Sequence, residues 1–244
     1  MNFELKRPKN MILSALQRDD WEKLYPLLEF VTLKARRVLQ HARMPMDYLY
    51  FIEDGLVSVV AKADERRSVE VWLTGREGVA GVPLILGRNF AVHRRFIVLN
   101  GSAYRIRSDD LQGALREIDS LRSILFRYLF AVLLQTSQSS ACNLCHNLTQ
   151  RLARWVLTAR DRCDADDLPI TQDMLARMLG VRRASISECL DHFEKCGLLR
   201  KKRGFIGIVD RPRLETFSCG CYHIIRREQE RILAPLDARS PRVG

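Results

Sequence analysis

The sequence predicts an α+β chain: a small antiparallel barrel or jelly roll first, a long helix next, and a winged helix-turn-helix towards the C-terminus. Three observations carry this expectation. Short apolar runs separated by turn residues fill Val31 to Ile106, residues 114–146 contain neither glycine nor proline, and residues 171–209 read as helix, glycine turn, helix and basic hairpin.

From Leu13 to Leu28 the leucines, with Trp21 and Tyr25, read as one or two short amphipathic helices. Tyr48 to Ile52 and Leu56 to Val60 flank Glu53-Asp54-Gly55, a hairpin signal, and Val69 to Leu73 leads into the glycine-rich Thr74 to Gly81. Further short runs, Phe96 to Leu99 and Ala103 to Ile106, are separated by Asn100-Gly101. Brief strands with regular turns suit a small barrel or jelly roll. Leu111 to His146 then reads as one long helix, with Leu121, Leu125, Tyr128, Leu129, Val132 and Leu133 as its apolar stripe. That strip exceeds what a small barrel can cover, so burial against a second copy, a homodimer, is expected. Leu148 to Ala159 is another amphipathic helix and Asp161 to Asp167 a polar connector; Arg213 to Ile232 is a last helix interrupted near Gly220, and Ala234 to Gly244 a loose tail. The implied boundaries are 1–108 for the N-terminal helices and roll, 109–146 for the long dimerisation helix, 147–217 for the winged helix-turn-helix, and 218–244 for the last helix and tail.

Within the third unit, Thr171 can cap a first helix whose Leu175 and Leu179 repeat at four residues beside the small Ala176. Gly180 suits the left-handed conformation that ends a helix and permits a sharp turn, and Val181 fills the corner. In the second helix Ile186, Cys189, Leu190 and Phe193 share one face, which leaves Ala184, Ser187, Glu188 and Asp191 pointing outwards. A helix entering a major groove about 12 Å wide needs such a small, polar outer face with cations at its leading end. Arg182 and Arg183 stand there. Two apolar runs, Leu198-Leu199 and Phe205 to Val209, bracket Arg200-Lys201-Lys202-Arg203-Gly204, which suits a two-stranded wing with cations near phosphates. Double-stranded DNA is the expected partner.

Charge agrees with this partner but adds little. The chain of 244 residues carries a formal net charge of +11, yet the excess is shared about equally between residues 1–146 and 147–244. Met1 to Lys9 lacks the apolar core of a signal peptide, and the longest apolar stretch, Leu129 to Leu134, is far short of the roughly 20 residues that span a bilayer. A cytoplasmic protein with no membrane partner is expected. The seven cysteines all lie at or after Cys142 and do not resemble a paired secreted framework, so free thiols are the expectation. No phosphate loop, paired-carboxylate site or His-Glu-x-x-His is present, so neither an enzyme nor a cofactor is expected.

Helices, small barrel, long helix and C-terminal winged helix-turn-helix, in that order, resemble the Crp/Fnr family of bacterial transcription regulators over residues 20–217. The resemblance is most specific from Asn147 to Arg211, and rests on Ser140-Ala141-Cys142-Asn143 with His146, Arg151-Leu152-Ala153-Arg154-Trp155, Asp161-Arg162, and Leu175 to Arg183. It implies a β-roll sensor domain and sequence-specific DNA binding as a homodimer, each recognition helix reading half of an inverted repeat. RNA polymerase is a further partner if the protein activates. Matched onto the family motif, Thr171 and Gln172 would touch phosphate, and Arg183, with Ser185 beside it, would read guanine through O6 and N7. Arg182, Ser187, Lys201 and Arg203 complete the expected contact set. Ala184 stands where the family often places an acidic reader, and Glu188 where it often places a basic or small residue, so the operator differs from those of relatives.

Members that bind cyclic nucleotides carry Gly-Glu-Leu and then Arg-Ser/Thr-Ala. Here the matching stretches are Glu77-Gly78-Val79-Ala80-Gly81, Arg88-Asn89-Phe90 and Arg94-Arg95-Phe96, so neither half of the signature is intact and the effector is not expected to be a cyclic nucleotide. With no cysteine before Cys142, an N-terminal iron-sulfur cluster is not expected either. Two alternatives use the cysteines that are present. Cys142, Cys145, Cys219 and Cys221, with His223, would make a metal- or thiol-based redox-sensing regulator, although buried free thiols are the simpler expectation and no metal site is assigned. More distantly, Cys142-Asn143-Leu144-Cys145-His146 matches the attachment pattern of a c-type haem electron carrier.

Overall fold

A computed structural model describes residues 7–62, 64, 68–164 and 167–233; the tail expected at 234–244 lies outside them. Two short helices open the chain, α1 (Met11–Ser14) and α2 (Arg18–Leu24), followed by a 3-10 turn at Tyr25–Leu27. Asn10 starts α1 by accepting from the backbone N–H groups of Ile12 and Leu13. Strands β1 (Glu29–Leu33), β2 (Val38–Gln40), β3 (Tyr48–Lys62), β4 (Ser68–Thr74), β5 (Val79–Ala80) and β6 (Arg94–Arg107) form one antiparallel sheet in the order β1-β6-β3-β4, with β2 on β6, β5 on β3, and the short α3 (Val82–Ile85) between β5 and β6.

The expected hairpin at Glu53-Asp54-Gly55 is not a hairpin, and Asn100-Gly101 does not separate two strands but lies within β6. Tyr48 to Val60 is a single strand paired with β6 along its length, and the register shifts between Ile52 and Val57 mark an irregularity instead of a reversal. Gly55, at φ +87°, lies opposite Asn100-Gly101. A Cβ at Gly55 would sit 2.8 Å from the Asn100 carbonyl oxygen, so both turn-like signals serve one close backbone approach across a bulge.

The long helical stretch also divides. Ile118, at φ −115° and ψ 90°, separates α4 (Ser108–Glu117) from α5 (Asp119–Cys145). Four members of the expected dimer stripe, Leu121, Leu125, Tyr128 and Val132, pack instead into the chain's own core with Ile12, Trp21 and Phe51, because the sheet and N-terminal helices cover that face. Leu129 is half-buried, and Leu133 belongs to the opposite side. There Phe126, Phe130 and Leu133 are 51%, 55% and 66% exposed. Their spacing of three and four residues aligns them in one apolar strip along the helix.

The C-terminal part comprises α6 (Leu148–Asp161), β7 (Asp167–Leu168), α7 (Gln172–Leu179), α8 (Arg183–Lys195), β8 (Leu199–Lys202), β9 (Phe205–Ile208), α9 (Arg211–Phe217) and α10 (Cys221–Leu233). Asn147 and Gln150 start α6 with a reciprocal capping box. Leu56, Leu73, Val98 and Leu99 of the sheet share a core with Trp155, Leu175, Phe193 and Leu214, so this part is docked on the roll. The expected polar connector is not solvated throughout: Arg162 is 4% exposed and Cys163 is 3% exposed.

Candidate nucleic-acid interface

The capping chemistry of α7 places the start of α8. Thr171 Oγ1 accepts from the Met174 N–H at 3.3 Å, Gly180 takes the left-handed conformation at φ 67° and ψ 35°, and the Val181 N–H returns to the Ala176 carbonyl at 2.9 Å. Arg151 of α6, absent from the expected contact set, donates to the last carbonyl of α7, Leu179, at 2.7 Å. The turn lies beside Val69 of β4. Ile186, Leu190 and Phe193 of α8 are buried with α7 behind them, while Arg182, Arg183, Ala184 and Glu188 are exposed, and Ser185, Ser187 and Cys189 are half-buried. No side chain caps α8, so its first N–H groups end among Arg182, Arg183 and Ala184. Arg183 is paired only loosely, with Nε 3.6 Å from an Asp173 carboxylate that is itself exposed. Thr171 and Gln172 are half-exposed.

The wing is a two-residue hairpin in which Lys202 pairs with Phe205 across Arg203-Gly204, with Gly204 at φ +79°. A third strand, β7, pairs with β9. The cations of the wing are not equivalent. Lys201 points back to α8, where its ammonium meets Asp191 and lies 3.2 Å from Glu194, while its N–H donates to Glu194 at 2.8 Å. These contacts hold Glu194 below the ordinary carboxylate range, the Lys201 N–H foremost. Arg200 pairs with Asp167 at 2.7 Å and Lys202 lies 3.6 Å from the same residue. Arg203 is exposed at the tip, with no acidic partner among the described residues.

Polar contacts at Glu70 and around Arg162 help bind this module to the roll, and nothing local in the sequence signals them. Trp155 Nε1 donates to Glu70 Oε1 at 2.8 Å, and Ser58 Oγ donates to Glu70 Oε2 at 2.7 Å. Burial pushes the Glu70 carboxyl above its ordinary range against these bonds and the pull of Arg154 and Arg162. Arg162 reaches further, with Nε 3.0 Å from Glu77 and its two terminal nitrogens donating to the Leu73 carbonyl, to Gln135 of α5 at 2.9 Å and to Gln229 of α10 at 3.0 Å. Among the other signature positions, Arg88 and Arg94 are exposed. Arg95 points inwards, 3% exposed, with no acidic partner among the described residues, and burial lowers its guanidinium to about 10. The alternative cysteine set is regrouped: Cys145 and His223 are exposed, while Cys142, Cys219 and Cys221 cluster with His146.

Comparison with known proteins agrees with this architecture. Residues 150–217 match the Crp-like helix-turn-helix domain. No curated protein sequence matches the chain. Among solved structures, FixK2 from Bradyrhizobium japonicum is similar at a TM-score of 0.68 and 14% identity, over 79% of this chain and 98% of that one. A putative Crp/Fnr transcriptional regulator from Eubacterium rectale gives 0.64 and 18% over 84% and 96%. The c-di-GMP-responsive regulator CLP of Xanthomonas campestris gives 0.63 and 17% over 80% and 100%. No helix among the described residues is long and apolar enough to cross a membrane. Residues 150–217 thus belong to the Crp-like helix-turn-helix domains, carried on a chain with the fold of the Crp/Fnr regulators.

Proposed function

We propose that the protein is a cytoplasmic, sequence-specific transcription regulator that binds double-stranded DNA as a homodimer and has no catalytic role. The carrying observation is α8: its apolar face is anchored on α7, its outer face holds Ala184, Ser187 and Glu188, and its leading end presents Arg182 and Arg183. That arrangement suits a helix lying in the major groove, with Arg183 on a guanine, Ala184 and Glu188 suited to a thymine methyl and cytosine N4, and Thr171 and Gln172 on phosphate. The strip of Phe126, Phe130 and Leu133 supports a two-fold pairing of α5 with its copy. Glu77 is engaged by Arg162, so a ribose hydroxyl would have to displace a buried ion pair, and this supports an effector other than a cyclic nucleotide.

Selection from randomised DNA tests the reading. An inverted repeat is expected; enrichment of a single half-site, or of none, refutes the dimeric regulator. Arg183→Ala should relax one position of each half-site, at about 1–3 kcal/mol, whereas Arg203→Ala should weaken all sequences alike and flatten the salt dependence. Lys201→Ala reads differently from Arg203→Ala, because Lys201 also ties the wing to α8.

A further inference from the structure

The joint between α5 and α6 carries a cluster that DNA reading does not use. Cys142 lies on the last turn of α5 and His146 caps its C-terminus. Cys219 lies in the turn between α9 and α10 and Cys221 is the first residue of α10, which brings both to the same place. Their four ligand atoms all lie within 4.8 Å of one another. Cys142 Sγ is 3.4 Å from Cys219 Sγ, and Cys221 Sγ is 3.6 Å from His146 Nδ1.

A tetrahedral zinc ion, with Zn–S of about 2.3 Å and Zn–N of about 2.0–2.1 Å, separates its ligands by about 3.8 Å for two sulfurs and about 3.6 Å for sulfur and nitrogen. These two edges lie within a few tenths of an ångström of those values, and no other pair of the four ligand atoms is more than 4.8 Å apart. The donors are three thiols and an imidazole with no carboxylate, a set that selects zinc over calcium or magnesium. The three cysteines are 0%, 3% and 3% exposed and form a small buried cluster of their own, so the site is closed, as structural zinc sites are. Gln138 donates its amide N–H to Cys221 Sγ at 3.1 Å, the supporting contact a ligating thiolate uses. Arg154, buried and with Nε unpaired among the described residues, is within Coulombic reach of Cys142 and would offset the negative charge of three thiolates around one zinc ion.

We propose that Cys142, His146, Cys219 and Cys221 form a closed structural zinc site that clasps the end of α5 to the α9–α10 turn and fixes the joint from which α6 and the reading helices depart. Its effect on DNA rests on the function proposed above; the metal site itself does not. On binding, each thiol that ligates the ion releases its proton to solvent and no electron is transferred.

The test uses the full chain, purified without a metal-binding tag, with zinc measured by mass spectrometry and cobalt substituted for spectroscopy. One zinc per chain is expected, with the intense visible bands and sulfur-to-cobalt charge transfer of a tetrahedral site. Cys142→Ser and Cys221→Ser should lose the metal, whereas Cys145→Ser and Cys196→Ser should keep it. Gln138→Ala should weaken zinc by about 10–100-fold. If the cysteine variants do not fold, cobalt titration of metal-stripped wild type decides instead. Zinc-free protein that takes up no cobalt, a Cys142–Cys219 disulfide in metal-free protein, or full zinc retention in Cys142→Ser would each overturn the proposal. Zinc-loaded protein that selects no DNA would leave the site standing and count against the regulator.

Discussion

Replacing Arg162 by methionine should separate the contribution of inter-module docking from that of either core. The guanidinium is 4% exposed and Glu77 is 7% exposed, so this ion pair is screened little by solvent. Methionine keeps the aliphatic stem but strands the Glu77 carboxylate, which among the described residues retains the Gly75 N–H at 3.1 Å. The Leu73 carbonyl loses the Arg162 donor as well, whereas Gln135 keeps the amide of Gln229 at 3.0 Å. Breaking one side of a buried pair costs about 3–5 kcal/mol, and the partial rescue by the glutamines places the expected loss near the middle, about 4 kcal/mol. Urea denaturation followed by tryptophan emission is the assay, because Trp155 lies at the docking surface through its bond to Glu70. Chain concentration must be held fixed, since a dimer's stability depends on it. Glu77→Gln in the Arg162→Met background should recover about half the loss, because no charge is then left buried without a partner. A loss below about 1 kcal/mol, or an equal loss with and without Glu77→Gln, would refute the reasoning, since both contradict an energetically significant buried pair.

Three further outcomes are expected. Glu70 has a folded-state pKa raised by burial, so its contribution to stability is fully present below the unfolded carboxylate pKa and is lost as pH rises through the folded one; Glu70→Gln should therefore gain on wild type as thermal melts move from acid to neutral pH, and a difference independent of pH would count against it. Gly78→Ala would drive a Cβ into the ring of Tyr128, whose hydroxyl holds the Val79 carbonyl at 3.2 Å; calorimetry should show a loss of about 1–3 kcal/mol, smaller in a Tyr128→Leu background. Phe126→Glu with Phe130→Glu removes four half-exposed rings from a two-fold contact, which at about 1 kcal/mol each weakens dimerisation roughly a thousandfold; sedimentation equilibrium unchanged by the pair would show that α5 dimerises through another face or not at all.

Chemistry confined to neighbouring residues was legible in the sequence. Thr171, Gly180 and the apolar face of α8 follow from capping, left-handed glycine and the helical repeat, each of which acts within a few residues, and they place α7, the turn and α8 correctly. Features that depend on distant partners were misread or invisible. Gly55 and Asn100-Gly101 carry turn signals, yet they face each other across two long strands, and only the pairing distinguishes a bulge from a hairpin. The stripe expected on α5 follows its most regular leucines, but those are the residues its own roll covers; Phe126 and Phe130 stand out less because apolar residues line both sides of that helix. Arg162 looked like part of a solvated connector, since nothing near it in sequence announces Glu77. The Cys-x-x-Cys-His spacing offers both Cys145 and His146 beside Cys142, and the helical repeat of four, which brings position 146 over position 142, separates them only once Cys219 and Cys221 are in place.

The Arg162 contacts also set a threshold for control. Glu77 belongs to the roll, Gln135 to the long helix and Gln229 to the last helix, so a single side chain joins three parts of the chain that would have to separate if the reading module swung away. A bound molecule can shift such an equilibrium only by the difference in its affinity for the two arrangements. If separation left the Glu77 carboxylate buried without a partner, the cost of about 4 kcal/mol would require that difference to approach a thousandfold before the released arrangement is as populated as the docked one. A weakly discriminating ligand would then leave the docked arrangement in place, whereas one that hydrates or re-pairs Glu77, or competes for the Arg162 guanidinium, would meet a lower threshold.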